Sequence, residues 1–219
     1  PAMNVEQARF NMIEQQIRPW DVLDTSVLAL LSVVRREDFV PPAYRSLAFM
    51  DIEIPLPGGH KMLSPKLEAR LVQELNLSKY DRVLQIGAGS GYVAALIAHK
   101  AQRVIALEDN AELADLARQN LRRAQVHNAE VVQADGSHGL AAQAPFNAIV
   151  LTGSVTTVPQ ALLDQLKPGG RLLAIVGREP VMQATLFTKS EQGSLSTQTL
   201  FDTVVAPLEH MATEPGFTF

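Results

Sequence analysis

From Leu67 onward, short apolar runs alternate with longer segments in which apolar residues recur every three to four positions. The first pattern is typical of buried strands and the second of amphipathic helices. It predicts helices over 66–76, 92–101, 110–124 and 158–166, and strands over 82–86, 103–108, 129–134, 146–151 and 171–176. Strands that alternate with helices indicate a mostly parallel sheet with helices on both faces.

The two ends of the chain have different patterns. Residues 4–36 predict two helices, and Pro19 ends the first of them. Asp24 or Thr25 can cap the second helix. Near the C-terminus, Gly193 separates two β-prone runs, which predicts an antiparallel hairpin at the sheet edge. The predicted fold is therefore a three-layer α/β/α sandwich with a mostly parallel sheet and an antiparallel C-terminal hairpin.

A segment rich in proline and glycine, residues 37–65, separates the N-terminal helices from the regular pattern. A loop zone of this length in a compact domain is usually functional or disordered. We therefore divide the chain into two parts. Residues 4–65 form the N-terminal helices with a candidate substrate loop, and residues 66–219 form one compact cofactor-binding unit.

Composition narrows the class of protein. With 219 residues, of which 47% are hydrophobic, the chain can bury the core of one domain. A net charge of -4 without a basic face disfavours a nucleic-acid binder. The absence of cysteine excludes disulfides, thiolate catalysis and zinc–thiolate sites, and no metal site is predicted. Neither a membrane span nor a signal peptide is evident, so we expect a cytoplasmic protein.

The candidate chemistry begins in the run VLQIGAGSGY, residues 83–92. A predicted strand leads into Gly87, Gly89 and Gly91, and a predicted helix follows at once. Glycines let a ligand approach the backbone, and the helix N-terminus offers free N–H groups. Glu108 ends the next strand, where a carboxylate can accept hydrogen bonds from ribose hydroxyls. This layout predicts a nucleotide-cofactor site.

The glycine spacing favours one cofactor class. Dinucleotide enzymes use G-x-G-x-x-G, whereas this run is G-x-G-x-G, which resembles the version in S-adenosylmethionine-dependent methyltransferases. A dehydrogenase is therefore disfavoured. Asp135, in the segment QADG that ends the next strand, can accept a hydrogen bond from an adenine amino group. Its alternative role is that of a turn aspartate before Gly136.

Several further segments resemble one family. They are DFVP (38–41), AFMD (48–51), PLPGG (55–59), APFNAIV (144–150), VPQALLDQLKPGGRLLAIVG (158–177) and APL (206–208). Together with the glycine run they make the chain similar to the protein-L-isoaspartate O-methyltransferases. The resemblance implies the Rossmann-like methyltransferase fold with S-adenosyl-L-methionine as cofactor. It also implies repair of damaged proteins or peptides by methylation of the free carboxylate of their L-isoaspartyl residues.

The resemblance also assigns cofactor-binding residues. It implies that Glu108 binds the ribose and that Asp135 with Gly136 binds the adenine end. The methionine and ribose portion would lie on the residues Gly87, Ala88, Gly89, Ser90 and Gly91.

Two groups of residues depart from the family pattern. The substrate loop usually has the sequence G-Q-T-I-S-Q-P, but here it is GHKMLSP, residues 59–65. Lys61 takes the place of the threonine and Leu63 that of the serine, and Ser64 comes one position later. Ser64 and Lys61 are the candidate catalytic residues, Ser64 through its hydroxyl and Lys61 through attraction of a carboxylate substrate.

The second departure removes negative charge. Gln85, a further candidate cofactor-binding residue, stands where the family usually has an acid, and Asn147 stands where it usually has aspartate. At Gln85, a neutral hydrogen bond in place of a charged one should weaken cofactor binding by about 1–2 kcal/mol. Three hypotheses therefore stay open: an isoaspartyl methyltransferase, a family member with another carboxylate substrate, and a non-catalytic S-adenosylmethionine-binding protein.

Overall fold

Seven strands form one sheet in the computed structural model, which describes residues 4–209 and Met211. Within these residues the α-helices are α1 (Val5–Met12), α2 (Thr25–Val33), α3 (Pro65–Glu74), α4 (Tyr92–Ala98), α5 (Ala111–Arg123) and α6 (Gln160–Asp164). The strands are β1 (Ile54–Pro55), β2 (Lys61–Met62), β3 (Arg82–Ile86), β4 (Arg103–Glu108), β5 (Ala129–Gln133), β6 (Phe146–Val155), β7 (Leu166–Arg178), β8 (Val181–Lys189) and β9 (Leu195–Asp202).

The strand order of the main sheet is β5-β4-β3-β6-β7-β8-β9. The pairs from β5 to β7 are parallel, and β8 and β9 add an antiparallel hairpin at the edge. Gly193, with φ of 87°, lies in the turn of that hairpin. This arrangement confirms the predicted fold class.

Alternate residues of each central strand enter two separate apolar clusters, one on each face of the sheet. On β3, Val83 belongs to the cluster that also contains buried residues of α1 to α5, whereas Leu84 belongs to the cluster that contains those of α6. The period of two along a strand explains this division. The helices therefore cover the two faces unequally, with five on one face and α6 on the other within the described residues.

The sequence prediction placed the C-terminal helix and strand differently. It extended the helix to residue 166, but α6 ends at Asp164 and β7 begins at Leu166. Pro168 disfavours the helical conformation in the residue before it, so the chain leaves the helix ahead of this proline and joins the sheet earlier. At the N-terminus, Asp24 rather than Thr25 caps α2, and its Oδ1 accepts a hydrogen bond from Ser26 N at 2.8 Å.

The N-terminal helices and the loop zone pack into the same apolar cluster as the sheet. Ile17, Phe39 and Leu63 are buried in it together with Val150 of β6. The division at residue 65 stays an interpretation of the chain, and its end at residue 219 lies outside the described residues. Across those described residues, none of the helices is long and apolar enough to cross a membrane.

Candidate active site

A cleft of about 330 Å³ opens at the carboxyl ends of the central strands. It lies where the strand order reverses, because β4 and β5 continue to one side of β3 and β6 lies on the other. Such a reversal leaves a crevice in which ligands bind in open α/β sheets. The residues that line it include Lys61, Leu63, Gly87, Gly89, Glu108 and Gly136. The structure thus brings together residues from the candidate substrate loop, the glycine run and the ends of two strands.

The glycine turn after β3 requires glycine at its first position. Gly87 has φ of 92°, and a Cβ built on it would lie 2.6 Å from Thr152 Oγ1. That hydroxyl donates towards the carbonyl oxygens of Ile86 and Gly87, at 3.0 and 2.6 Å. Thr152 of β6 therefore closes the turn from the neighbouring strand. The sequence analysis missed Thr152, although a hydroxyl at the carboxyl end of a central strand was the signal to look for.

Glu108 lies at the end of β4 with only 6% of its surface exposed. Its Oε1 accepts a hydrogen bond from Gly89 N and its Oε2 one from Asn110 N, both at 3.2 Å. Burial raises the pKa of Glu108, and these two backbone hydrogen bonds oppose the rise. A carboxylate offers about four acceptor positions, so capacity remains for a ribose hydroxyl beside these two bonds and the interaction with Asp109.

The segment after β5 is split between the cleft and the surface. Gly136 lines the cleft, but Asp135 is not among the described residues that do so. Asp135 Oδ1 instead accepts a hydrogen bond from Ser137 N at 2.9 Å and caps a short 3-10 turn, Gly136–His138. This geometry is that of the turn aspartate considered as its alternative role. A contact with adenine stays a prediction for Asp135.

The candidate substrate loop reaches the cleft through a small antiparallel ladder. β1 pairs with β2, and Leu56 N donates to His60 O at 2.8 Å. This ladder places Lys61 and Leu63 in the lining of the cleft. Ser64 lies at the N-cap of α3 and does not line the cleft among the described residues. The structure therefore brings Lys61, and not Ser64, beside the glycine turn.

Arg36 holds the candidate substrate loop in place through a hydrogen bond to its backbone at Leu63. The sequence analysis did not identify this residue. The side chain is fully buried, and its guanidinium donates to the carbonyl oxygens of Ala48 and Leu63. It also forms an ion pair with Glu68 of α3, with 2.9 Å between Nη2 and Oε1. Burial raises the pKa of Glu68 to about 7, although Arg36 opposes the rise. The signal in the sequence was Glu68, a charged residue four positions before Val72 and seven before Leu75 on the apolar side of a predicted helix.

The two charge-removing departures lie in different places. Gln85 is completely buried on β3, and its Nε2 donates to Gly87 O at 2.9 Å, so it supports the glycine turn. Asn147 lies near the start of β6, and its Oδ1 accepts from Arg82 N at the start of β3. The cleft is at the other end of these strands. Asn147 therefore helps to align two strands and has no contact with the cleft.

These residues fit S-adenosylmethionine. Gly89 lines the cleft, and a Cβ built on it would meet only Leu56 Cδ1, at 3.8 Å, so the space beside this glycine lets a ligand approach the backbone of the turn closely. Glu108 presents a carboxylate for ribose hydroxyls at the neighbouring strand end. Leu56, Ile86 and Leu113 give the same cleft apolar walls, which suit the flat faces of an adenosine group.

Comparison with known proteins agrees with this fit. A sequence model described as Protein-L-isoaspartate(D-aspartate) O-methyltransferase matches residues 7–212. A protein-L-isoaspartate O-methyltransferase from Methanoculleus marisnigri is 40% identical over 200 residues, which cover 91% of this chain and 90% of that protein. One from Koribacter versatilis is 38% identical over 200 residues with the same coverage.

Solved structures share the fold. A Plasmodium falciparum chain, described as a protein-L-isoaspartate O-methyltransferase in complex with S-adenosyl-L-homocysteine, superposes with a TM-score of 0.78 at 19% identity. The match covers 95% of this chain and 99% of that one. A second protein-L-isoaspartate O-methyltransferase structure superposes with a TM-score of 0.76 at 24% identity, covering 92% of this chain and 65% of that one. At these identities the structures support the fold alone.

Proposed function

This chain belongs to the protein-L-isoaspartate O-methyltransferase family and is an S-adenosylmethionine-dependent methyltransferase, and we propose how its own residues perform the reaction. The substrate is the free carboxylate of an L-isoaspartyl residue in a damaged protein or peptide. We propose a cytoplasmic location for this repair. The assignment of roles rests on one observation, which is that Lys61, Gly87 and Glu108 line the same cleft.

The reaction requires little acid–base catalysis from the protein. The cofactor, when bound, supplies a methyl group on a positively charged sulfur. A carboxylate has a reference pKa of about 3.9, so the substrate is already ionised at neutral pH and needs no general base. The protein must therefore align the two reactants and exclude water, and orientation of this kind can supply roughly 7–11 kcal/mol.

Residues at the ends of the strands would orient the cofactor. We propose that Glu108 accepts hydrogen bonds from the ribose hydroxyls, because its carboxylate is fixed by two backbone N–H groups at the cleft wall. The backbone of residues 87–91 would hold the methionine and ribose portion. Gly136, with Asp135 beside it, would bound the adenine end.

Residues of the candidate substrate loop would orient the substrate. We propose that the Lys61 ammonium attracts the isoaspartyl carboxylate, because Lys61 lines the cleft and its side chain is exposed enough to meet an incoming chain. A charged contact would then replace the hydroxyl contacts that the usual loop sequence offers. Ser64 stays a second candidate, and a contact with substrate would require it to turn from its place at the start of α3.

One observation favours a second candidate function. The apolar side chain of Leu63 lines the cleft where the family usually has a hydroxyl, and Leu63 is 7% exposed. A different carboxylate substrate would favour a different side chain at this position of the loop. The alternative is therefore a methyltransferase of the same family that acts on another carboxylate in a protein or peptide.

The deciding experiment measures transfer of a radiolabelled methyl group from S-adenosylmethionine to an isoaspartyl peptide, with the matching aspartyl peptide as control. Labelling of only the isoaspartyl peptide supports the proposed function. Binding of S-adenosylhomocysteine, measured by calorimetry, without labelling of either peptide would favour the other carboxylate substrate. An absence of binding would contradict both.

Variants of single lysines test the loop. Lys61→Met should raise KM for the isoaspartyl peptide about tenfold or more, since hydrogen bonds to charged groups contribute about 1.5–3 kcal/mol, with unchanged affinity for S-adenosylhomocysteine. Lys79→Met is the matched control, because Lys79 stacks on Tyr80 and does not line the cleft. Unchanged KM in Lys61→Met, together with a raised KM in Ser64→Ala, would transfer the role to Ser64.

A further inference from the structure

A second, smaller cavity of about 40 Å³ lies beneath the substrate loop and adjoins the main cleft. Lys61, Leu63, Gly87, Gly89 and Thr152 line both spaces, so the two meet at the glycine turn. A cavity of this size exceeds the roughly 10–15 Å³ that one water-sized group needs. It can therefore accept a single small polar group that enters from the cleft.

The walls of this cavity hold polar atoms that lack partners. Gln85 Oε1 and the Tyr92 hydroxyl are buried and have no hydrogen-bond partner among the described residues. Both side chains are at most 2% exposed. Buried polar groups are nearly always hydrogen-bonded in folded proteins, so an unpaired group calls for an explanation. A bound ligand would explain both atoms, because it would be their hydrogen-bond partner.

Glu68 supplies a third acceptor on the same wall. Its ion pair and hydrogen bond with Arg36 both involve Oε1, at 2.9 and 3.0 Å. Neither of these two contacts uses Oε2. Glu68 is 2% exposed and lines the small cavity. The space therefore faces a carboxylate oxygen, an amide oxygen and a phenol oxygen.

We infer that Glu68 binds the α-ammonium group of the methionine part of S-adenosylmethionine, with Gln85 Oε1 and the Tyr92 hydroxyl as the other two acceptors. An ammonium group has three N–H donors, which matches these three oxygens. With the adenosine part between Glu108 and Gly136, as proposed above, the methionine part would extend past the glycine turn towards this cavity. Glu68 thus supplies from α3 the negative charge that Gln85 does not.

Other charges near this cavity are consistent with that role. Arg36 is the partner of Glu68 and favours its ionised form. Lys61 lines the same cavity, but its side chain is exposed and makes no ion pair with Glu68 among the described residues. Burial raises the pKa of Tyr92, so the phenol stays neutral and can accept a hydrogen bond.

The test compares two ligands that differ only at this end. S-adenosylhomocysteine has the amino-acid portion, and 5′-methylthioadenosine lacks it but keeps the adenosine and the sulfur. In Glu68→Gln, the calorimetric Kd of S-adenosylhomocysteine should rise tenfold or more, while that of 5′-methylthioadenosine changes less than twofold. Glu74→Gln, which alters a glutamate of the same helix paired with Arg70, should change neither.

A charge swap keeps the test decisive if the single variant folds poorly. Glu68→Gln combined with Gln85→Glu moves the carboxylate to the facing wall and should recover most of the S-adenosylhomocysteine affinity. Equal weakening of both ligands in Glu68→Gln, or no weakening, would overturn the inference, and so would a swap that recovers nothing. Because the inference rests on the proposed function, the unaltered protein is the reference. If it binds neither ligand, the proposed function fails instead.

Discussion

The main cleft and the small cavity that adjoins it form the two ends of the proposed cofactor site, and each end contains a buried glutamate, but the two are built in different ways. Glu108 is held by two backbone N–H groups at the end of its own strand and just after the neighbouring strand. Glu68 is held by one side chain, Arg36, that comes from 32 residues earlier in the chain. Backbone donors are present in any sequence with this turn, whereas Arg36 and Glu68 depend on each other. A substitution of Glu108 should therefore weaken ligand binding more than it lowers the stability of the protein. A substitution of Arg36 or Glu68 should lower stability first.

The largest expected effect is on Arg36. Arg36→Met leaves Glu68 buried without its partner and removes the donors to the carbonyl oxygens of Ala48 and Leu63. Breaking a buried pair on one side destabilises a protein by about 3–5 kcal/mol. Urea unfolding should show a loss of that size. Arg35→Met is the control, because the Arg35 side chain is 59% exposed and should contribute less than about 1 kcal/mol. Equal losses would contradict the contrast between the two ends.

A smaller effect is expected from pH. The pKa of Glu68 is about 7 in the folded protein, against about 4.3 for a free glutamate side chain, so folding favours its protonated form. Its contribution to stability is complete below about pH 4 and is lost as pH rises through about 7. Between pH 5 and pH 8 the free energy of unfolding should fall by about 2–3 kcal/mol more in the unaltered protein than in Glu68→Gln.

Urea unfolding of both proteins without ligand at the two pH values measures this difference. Asp24 and Glu37, whose pKa values are lowered by their hydrogen-bond partners, change stability in the opposite direction but are present in both proteins. Parallel pH dependences of the two proteins would show that Glu68 stays ionised throughout.

The smallest effect on the fold, and a clear one on binding, is expected at Glu108. Glu108→Gln keeps the shape of the side chain but loses the charge that ribose hydroxyls would meet. Hydrogen bonds to charged groups contribute about 1.5–3 kcal/mol, so affinity should fall roughly tenfold to a hundredfold. S-adenosylhomocysteine and 5′-methylthioadenosine should be weakened equally, unlike in Glu68→Gln. Unequal weakening would show that Glu108 does not bind the adenosine part.

The two ends also differ in how well the sequence predicts them. The glycine turn and Glu108 follow from strand ends and glycine spacing, which are local patterns. Gln85 was also identified in that run, although its unpaired Oε1 was not. The pair of Arg36 and Glu68 escaped prediction, because the periodicity of each segment indicates only that a position is buried and says nothing about its partner.

The sequence by itself determined the order of helices and strands, the mostly parallel sheet, the cofactor turn and the family. Each of these depends on periodicity, on glycine and proline, or on motifs within a few residues of one another. Only the tertiary structure decided that Lys61 rather than Ser64 meets the cleft, that Asn147 lies at the far end of its strand, and that Glu68 shares a cavity with Gln85. These facts depend on contacts between distant segments, whose geometry is set when the segments pack against the sheet.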